Sequence, residues 1–125
     1  MIYLDTHVVV WLYAGFIEKL SKSAIQLIEN NALFISPIVQ LELTYLHEIK
    51  RITRTSQVII HELQTRIGLK ICELSFEAVT NKAITQTWTR DPFDRIIVAH
   101  ALCNHAKLVT KDKSILKHCK LATWE

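Results

Sequence analysis

The run Ile96-Ile97-Val98-Ala99-His100-Ala101-Leu102-Cys103 is the most apolar helical stretch of the chain, and it is entered through the charged segment Asp91-Pro92-Phe93-Asp94-Arg95. A helix apolar on so many sides must be covered by other elements, so it predicts a layered core with this helix inside it. Asp91 suits the N-cap, because its carboxylate accepts a backbone N–H that the first turn leaves unpaired. Pro92 suits the first helical position, where its missing N–H would have no partner anyway. Asp94 falls in the first turn, where the helix dipole favours a carboxylate by a few tenths to ~1 kcal/mol. Both acids thus have a structural explanation. They also stand at the mouth of a buried helix, where carboxylates from other elements can join them.

The other segments say what covers that helix. Ile2–Leu4, Leu33–Ile35, Lys70–Leu74 and Leu108–Thr110 read as short apolar strands, and Leu121–Trp124 adds an edge strand. Helices are predicted over Val8–Tyr13, from a cap at Ser21 or Ser23 to near Asn30, and over Ile38–Ile49 behind Ser36-Pro37. Further helices run from Ser56 to Ile67 before Gly68, from a cap at Ser75 to near Trp88, from Pro92 to near His105, and over Ser114–His118. Strands alternating with helices imply a parallel sheet covered on both faces. The expected fold is α/β: one three-layer α/β/α domain over residues 1–125 with a central, mainly parallel sheet.

With half its residues hydrophobic, two Gly, two Pro and no low-complexity tract, the chain does not have the composition of a disordered one. Its net charge of +3 permits a polyanionic partner without requiring one. The longest uncharged apolar run, Val8–Ile17, is too short to span a bilayer and follows an acid, so no membrane role and a cytoplasmic location are expected. Three cysteines without a C-x-x-C spacing support neither a disulfide framework nor a zinc ribbon.

In a parallel sheet the C-terminal ends of all strands face the same way, and ligands bind there. Asp5 follows the first strand, Asp112 follows the fourth, and Asp94 opens the helix that feeds the fourth, so all three share that edge. Glu42 lies within the apolar pattern of the helix after strand two, where a carboxylate needs a partner. Four carboxylates brought close repel unless a cation holds them, and all-oxygen ligation selects Mg²⁺ or Mn²⁺. Such an ion polarises a phosphoryl oxygen and activates water, which is the chemistry of metal-dependent nucleases. Duller readings stand beside this one: Asp91 and Asp112 as caps only, Glu42 paired to a base. Asp5 gains nothing structural from its charge on this reading.

Leu4-Asp5-Thr6-His7-Val8 with Trp11-Leu12, Ser36-Pro37 with Glu42-Leu43, Arg90 through Ala99, and Leu108-Val109-Thr110-Lys111-Asp112 together resemble the PIN domain, in particular the VapC toxins of bacterial toxin–antitoxin pairs. The resemblance runs essentially the whole chain in order, and Asp91-Pro92-Phe93-Asp94-Arg95 is its most specific piece. It implies that Asp5, Glu42, Asp94 and Asp112 form a metal-binding acidic quartet, with Thr110 orienting it; Thr6, Asp91 and Arg95 are the further candidates for support. It also implies a Mg²⁺-dependent endoribonuclease, dimeric and restrained by a cognate antitoxin. The tail, Leu121–Glu125, is short for the family's last strand.

Other residues carry paired readings. Arg95 can contact a phosphate or form a salt bridge to an acid such as Asp91. His7 can assist proton transfer or merely pack, and His100 and His105 read as structural. Lys107, Lys111, Lys113, Lys117 and Lys120 can line an RNA path or form a solvated face. Val9, Trp11, Leu12, Tyr13, Ile38, Leu41 and Tyr45 exceed what one core of this size needs, which suits a partner groove. The competing functions are a phosphohydrolase with Asp5 as nucleophile, a PIN-fold nuclease of RNA processing without a toxin role, and a non-catalytic binding module. The first is disfavoured because His7 stands where such enzymes carry a second aspartate.

Overall fold

The computed structural model describes residues 1–125. Its elements are β1 (Ile2–Leu4), α1 (Thr6–Ala14), a 3-10 turn (Ile17–Lys19), α2 (Lys22–Asn30), β2 (Leu33–Ile35), α3 (Ile38–Glu48) and α4 (Ser56–Ile67). They continue with β3 (Lys70–Ile71), α5 (Phe76–Ile84), α6 (Pro92–Cys103), β4 (Lys107–Val109), α7 (Lys113–His118) and β5 (Ala122–Thr123). The five strands form one sheet in the order β3-β2-β1-β4-β5, every neighbour pair parallel.

Burial shows why this is a layered fold. All three residues of β1 are buried, and successive strand side chains point to opposite faces, so both faces of the central strand are covered. The predicted α/β/α architecture is therefore present. α6 packs on α5, α3 and β4, and the predicted inner helix is buried through Ile97, Val98, Ala99, His100 and Ala101. Tyr3, Leu4, Val8, Val9, Ile35, Leu43 and Leu108 join the same core. No helix is long and apolar enough to cross a membrane.

Helix starts follow side-chain capping. Asp5, Ser21, Thr55, Ser75, Asp91 and Asp112 each accept a backbone N–H at the start of a helix. Pro37 has helical dihedrals and the Ser36 hydroxyl accepts from Ile38 N at 3.2 Å, so the cap-then-proline start holds although the regular helix begins at Ile38.

Some boundaries differ from the sequence expectation. α1 begins at Thr6 instead of Val8 because Asp5 caps it. α4 keeps its expected bounds, with Thr55 as its cap, while the Ser56 hydroxyl lies 3.0 Å from that of Thr44. α5 ends at Ile84, four residues before Trp88, whose ring stacks on His118 at 5.1 Å instead of continuing a helical stripe. β3 holds two residues, not five, since it is an edge strand paired only to β2. β5 is likewise confined to Ala122–Thr123. Of the apolar surplus, Val9 is core and Trp11, Leu12, Tyr13 and Ile38 pack partly against it. Leu41 and Tyr45 stand exposed and continue into Ile49 at helical spacing, forming one stripe on α3.

The topology fixes where a ligand belongs. β1 lies between β2 and β4, so the chain leaves β1 toward one side and returns for β4 on the other. The crevice beyond the C-terminal ends at such a reversal is the binding position of open α/β sheets.

Candidate active site

Asp5 occupies that crevice. Its N–H still bonds across the sheet to Val109 O at 3.1 Å, so the strand ladder fixes its position. Its carboxylate, almost fully buried, accepts from Thr6 N at 2.8 Å and from the Thr110 hydroxyl at 2.6 Å. The Thr110 hydroxyl also accepts from Asp112 N at 3.0 Å, which ties the loop after β4 to the end of β1. Asp112 in turn caps α7 by accepting from Ile115 N at 2.9 Å. From the other side, the buried Thr6 hydroxyl donates to Glu42 Oε1 at 2.5 Å, holding the α3 carboxylate toward β1. Asp91 accepts from Phe93 N and Asp94 N at 2.8 and 3.3 Å, which sets Asp94 in the first turn of α6.

Asp5, Glu42, Asp91, Asp94 and Asp112 line a single cleft of about 340 Å³, completed by His7, Trp11 and Lys111. A larger groove of about 810 Å³ lies over Phe34, Lys70 and Leu74, but it gathers no comparable set of charges. The one ion pair of the chain, Arg66 to Glu62 at 3.7 Å, lies on α4, so none of the cleft acids is in a salt bridge. Burial, and then the carboxylates of Asp91, Asp5, Asp112 and Glu42, push Asp94 up from its ordinary 3.8 to about 7. Burial raises Asp5 as well, opposed by the Thr110 and Thr6 hydrogen bonds. Glu42 is raised by burial, opposed by the Thr6 hydroxyl and reinforced by Asp5.

Oxygen-only donors of this kind match a hard divalent cation. In this conformation no three of the His, Cys, Asp or Glu side chains converge closely enough to grip an ion. Asp5, Glu42 and Asp112 are each held by a hydrogen bond from a neighbouring group.

Several single-residue readings change here. Asp5 does have a structural role, as the cap of α1. Asp91 both caps α6 and lines the cleft. Arg95 forms no salt bridge to Asp91: its Nε donates to Ala83 O at 3.2 Å and its Nη2 to Ile84 O at 3.1 Å, so it ties the end of α5 to α6. His7 is exposed on the cleft wall, while His100 is buried with its imidazole pushed down by desolvation. Trp11, part of the first family-like motif and of the apolar surplus, also lines the cleft. Its spacing of four from His7 places both on one helix face, and that spacing was the available signal.

The PIN domain family model matches residues 2–121, and the chain belongs to that family. Within it, the chain is 32% identical over 117 residues to "Ribonuclease VapC22" of Mycobacterium tuberculosis (strain ATCC 25618 / H37Rv), covering 92% of this chain and 89% of the relative. Solved structures share the fold at lower identity. A toxin–antitoxin complex from Klebsiella pneumoniae gives a TM-score of 0.69 at 19% identity over 98% of this chain and 96% of its counterpart. VapBC2 from Rickettsia felis, bound to a promoter DNA fragment, gives 0.68 at 23% identity over the whole of both chains.

Proposed function

We propose that residues 1–125 form one PIN domain acting as a Mg²⁺- or Mn²⁺-dependent endoribonuclease, the toxin half of a type II toxin–antitoxin pair. The observation that carries the reading is that five carboxylates line one cleft and none of them is in an ion pair. Acids in that state are unfavourable in isolation and suit a cation-binding, phosphodiester-cleaving centre. The relative named as a ribonuclease and the toxin–antitoxin neighbours support it.

Asp5, Glu42, Asp94 and Asp112 would hold the ion, which when bound supplies Lewis-acid polarisation of a phosphoryl oxygen and a bound water more acidic than bulk water. The protein's own contribution is orientation. Thr110 and Thr6 fix the Asp5 carboxylate, Thr6 fixes Glu42, and the Asp91 cap fixes the helix turn bearing Asp94. Arg95 supports the same turn indirectly, by anchoring α6 to α5.

The chain would act in the cytoplasm as a homodimer, restrained by a cognate antitoxin. The exposed stripe Leu41, Tyr45 and Ile49 on α3 adjoins the cleft through Glu42, and offers an apolar helix a seat. Expression of the chain alone should slow bacterial growth, the Asp5→Asn form should not, and co-expression of a cognate antitoxin should restore growth. Equal growth with both forms would count against the toxin role and leave a nuclease of another purpose.

A further inference from the structure

Of the eight residues lining the acidic cleft, six are carboxylates or histidine, and only Trp11 and Lys111 offer a polyanion an attractive surface. Lys111 precedes Asp112 in sequence yet forms no ion pair with it or with any other cleft acid. Its Nζ stands over the Trp11 ring, 5.9 Å from the centroid, and the Nζ of Lys19, outside the cleft lining, stands over the same ring at 5.8 Å. The ring is fixed from behind by an edge contact with Trp124 at 6.0 Å and 62°, and Trp124 is itself buried. A rigid aromatic wall and an uncommitted cation therefore share one corner of a cleft that otherwise repels phosphate.

We propose that Trp11 and Lys111 form a nucleotide subsite, in which the Trp11 ring stacks a base flanking the cleaved bond and Lys111 binds that nucleotide's phosphate. This rests on the ribonuclease reading above. Every base has a π-face, so the subsite would favour unpaired RNA without reading sequence through hydrogen bonds, as single-strand binding surfaces do. The lysine exchanges a weak contact with the ring for a phosphate. Neither residue touches the reacting atoms: both position the strand, and their loss should act on binding.

The test is binding of a labelled single-stranded RNA oligonucleotide by fluorescence anisotropy, in the Asp94→Asn background so that the strand stays intact. Because Trp11 also packs on the core, two replacements are compared: Trp11→Phe keeps an aromatic face, and Trp11→Leu keeps only apolar bulk. The expected result is at least ~5-fold weaker binding for Trp11→Leu and a change within about threefold for Trp11→Phe. Lys111→Gln should lower the slope of log Kd against log salt by about 0.7, the value for one phosphate contact on a single strand. Equal binding by the Leu and Phe variants would overturn the subsite, as would a Leu variant that loses the protein inhibitor but not RNA. If the Asp94→Asn parent bound no RNA at all, the subsite would fall together with the ribonuclease reading. In the other overturning outcomes the parent still binds, and the subsite falls alone.

Discussion

Asp94→Asn is expected to raise the melting temperature of the metal-free protein at pH 7 while lowering RNA cleavage by at least ~10²-fold. The opposed signs follow from one cause. The folded chain holds the Asp94 proton up to about pH 7, whereas the unfolded carboxyl releases it near its ordinary 3.8. Between those values the folded state binds more protons than the unfolded one, so stability falls as pH rises through this window and the penalty is complete above it. Asparagine never ionises, so that part of the pH dependence should vanish. Asp94 is only partly buried, and after solvent screening the gain is on the order of 1 kcal/mol, or about 3–6 °C for a chain of this size. Melting curves of both forms from pH 4 to 8, in chelator, make the comparison. A variant that melts lower than the wild type at every pH would make Asp94 a structural acid and remove it from the quartet.

Thr110→Val should be damaging in both respects, although it removes no charge and preserves shape. The buried Thr110 hydroxyl donates to Asp5 and accepts from Asp112 N. Valine leaves a buried carboxylate short of a donor and a backbone N–H without an acceptor, a loss of about 2–4 kcal/mol by urea denaturation. Asp5 would also lose its orientation, and outer partners of metal-binding groups typically account for ~10–100-fold in affinity or activity. Thr110→Ser keeps the hydroxyl and should recover most of both. A valine form as stable and active as the wild type would show that Asp5 is positioned by β1 and Thr6 alone.

The strands β1 and β2 were legible to the residue, because three apolar residues between polar turns leave little choice of register. The start of α6 was legible for a related reason: Asp91, Pro92 and the apolar run agree with one another at every level. Trp88 misled the reading of α5, since an apolar residue in periodic position looks helical until its stacking partner, His118, is brought beside it from α7. That Asp5, Asp94 and Asp112 share one edge was readable from strand order, which is a matter of topology, and the family resemblance pointed to Thr110 beside them. The partners of the other supporting side chains were not readable. That Thr6 reaches Glu42 and Arg95 reaches two carbonyls of α5 depends on side-chain directions across elements, which no single-chain spacing encodes. Asp5 shows the limit in the other sense: cap and candidate ligand are the same carboxylate, so neither role excludes the other.

The most direct measurement is the end chemistry of RNA cut by the purified chain, with Mg²⁺ or Mn²⁺ supplied or withheld. Attack by a metal-activated water would not use the 2′-hydroxyl, so the expected products carry 5′-phosphates, appear only with the divalent ion, and are absent with Asp94→Asn. Cleavage that survived exhaustive chelation, or fragments ending in 2′,3′-cyclic phosphate, would contradict a metal-dependent hydrolytic site.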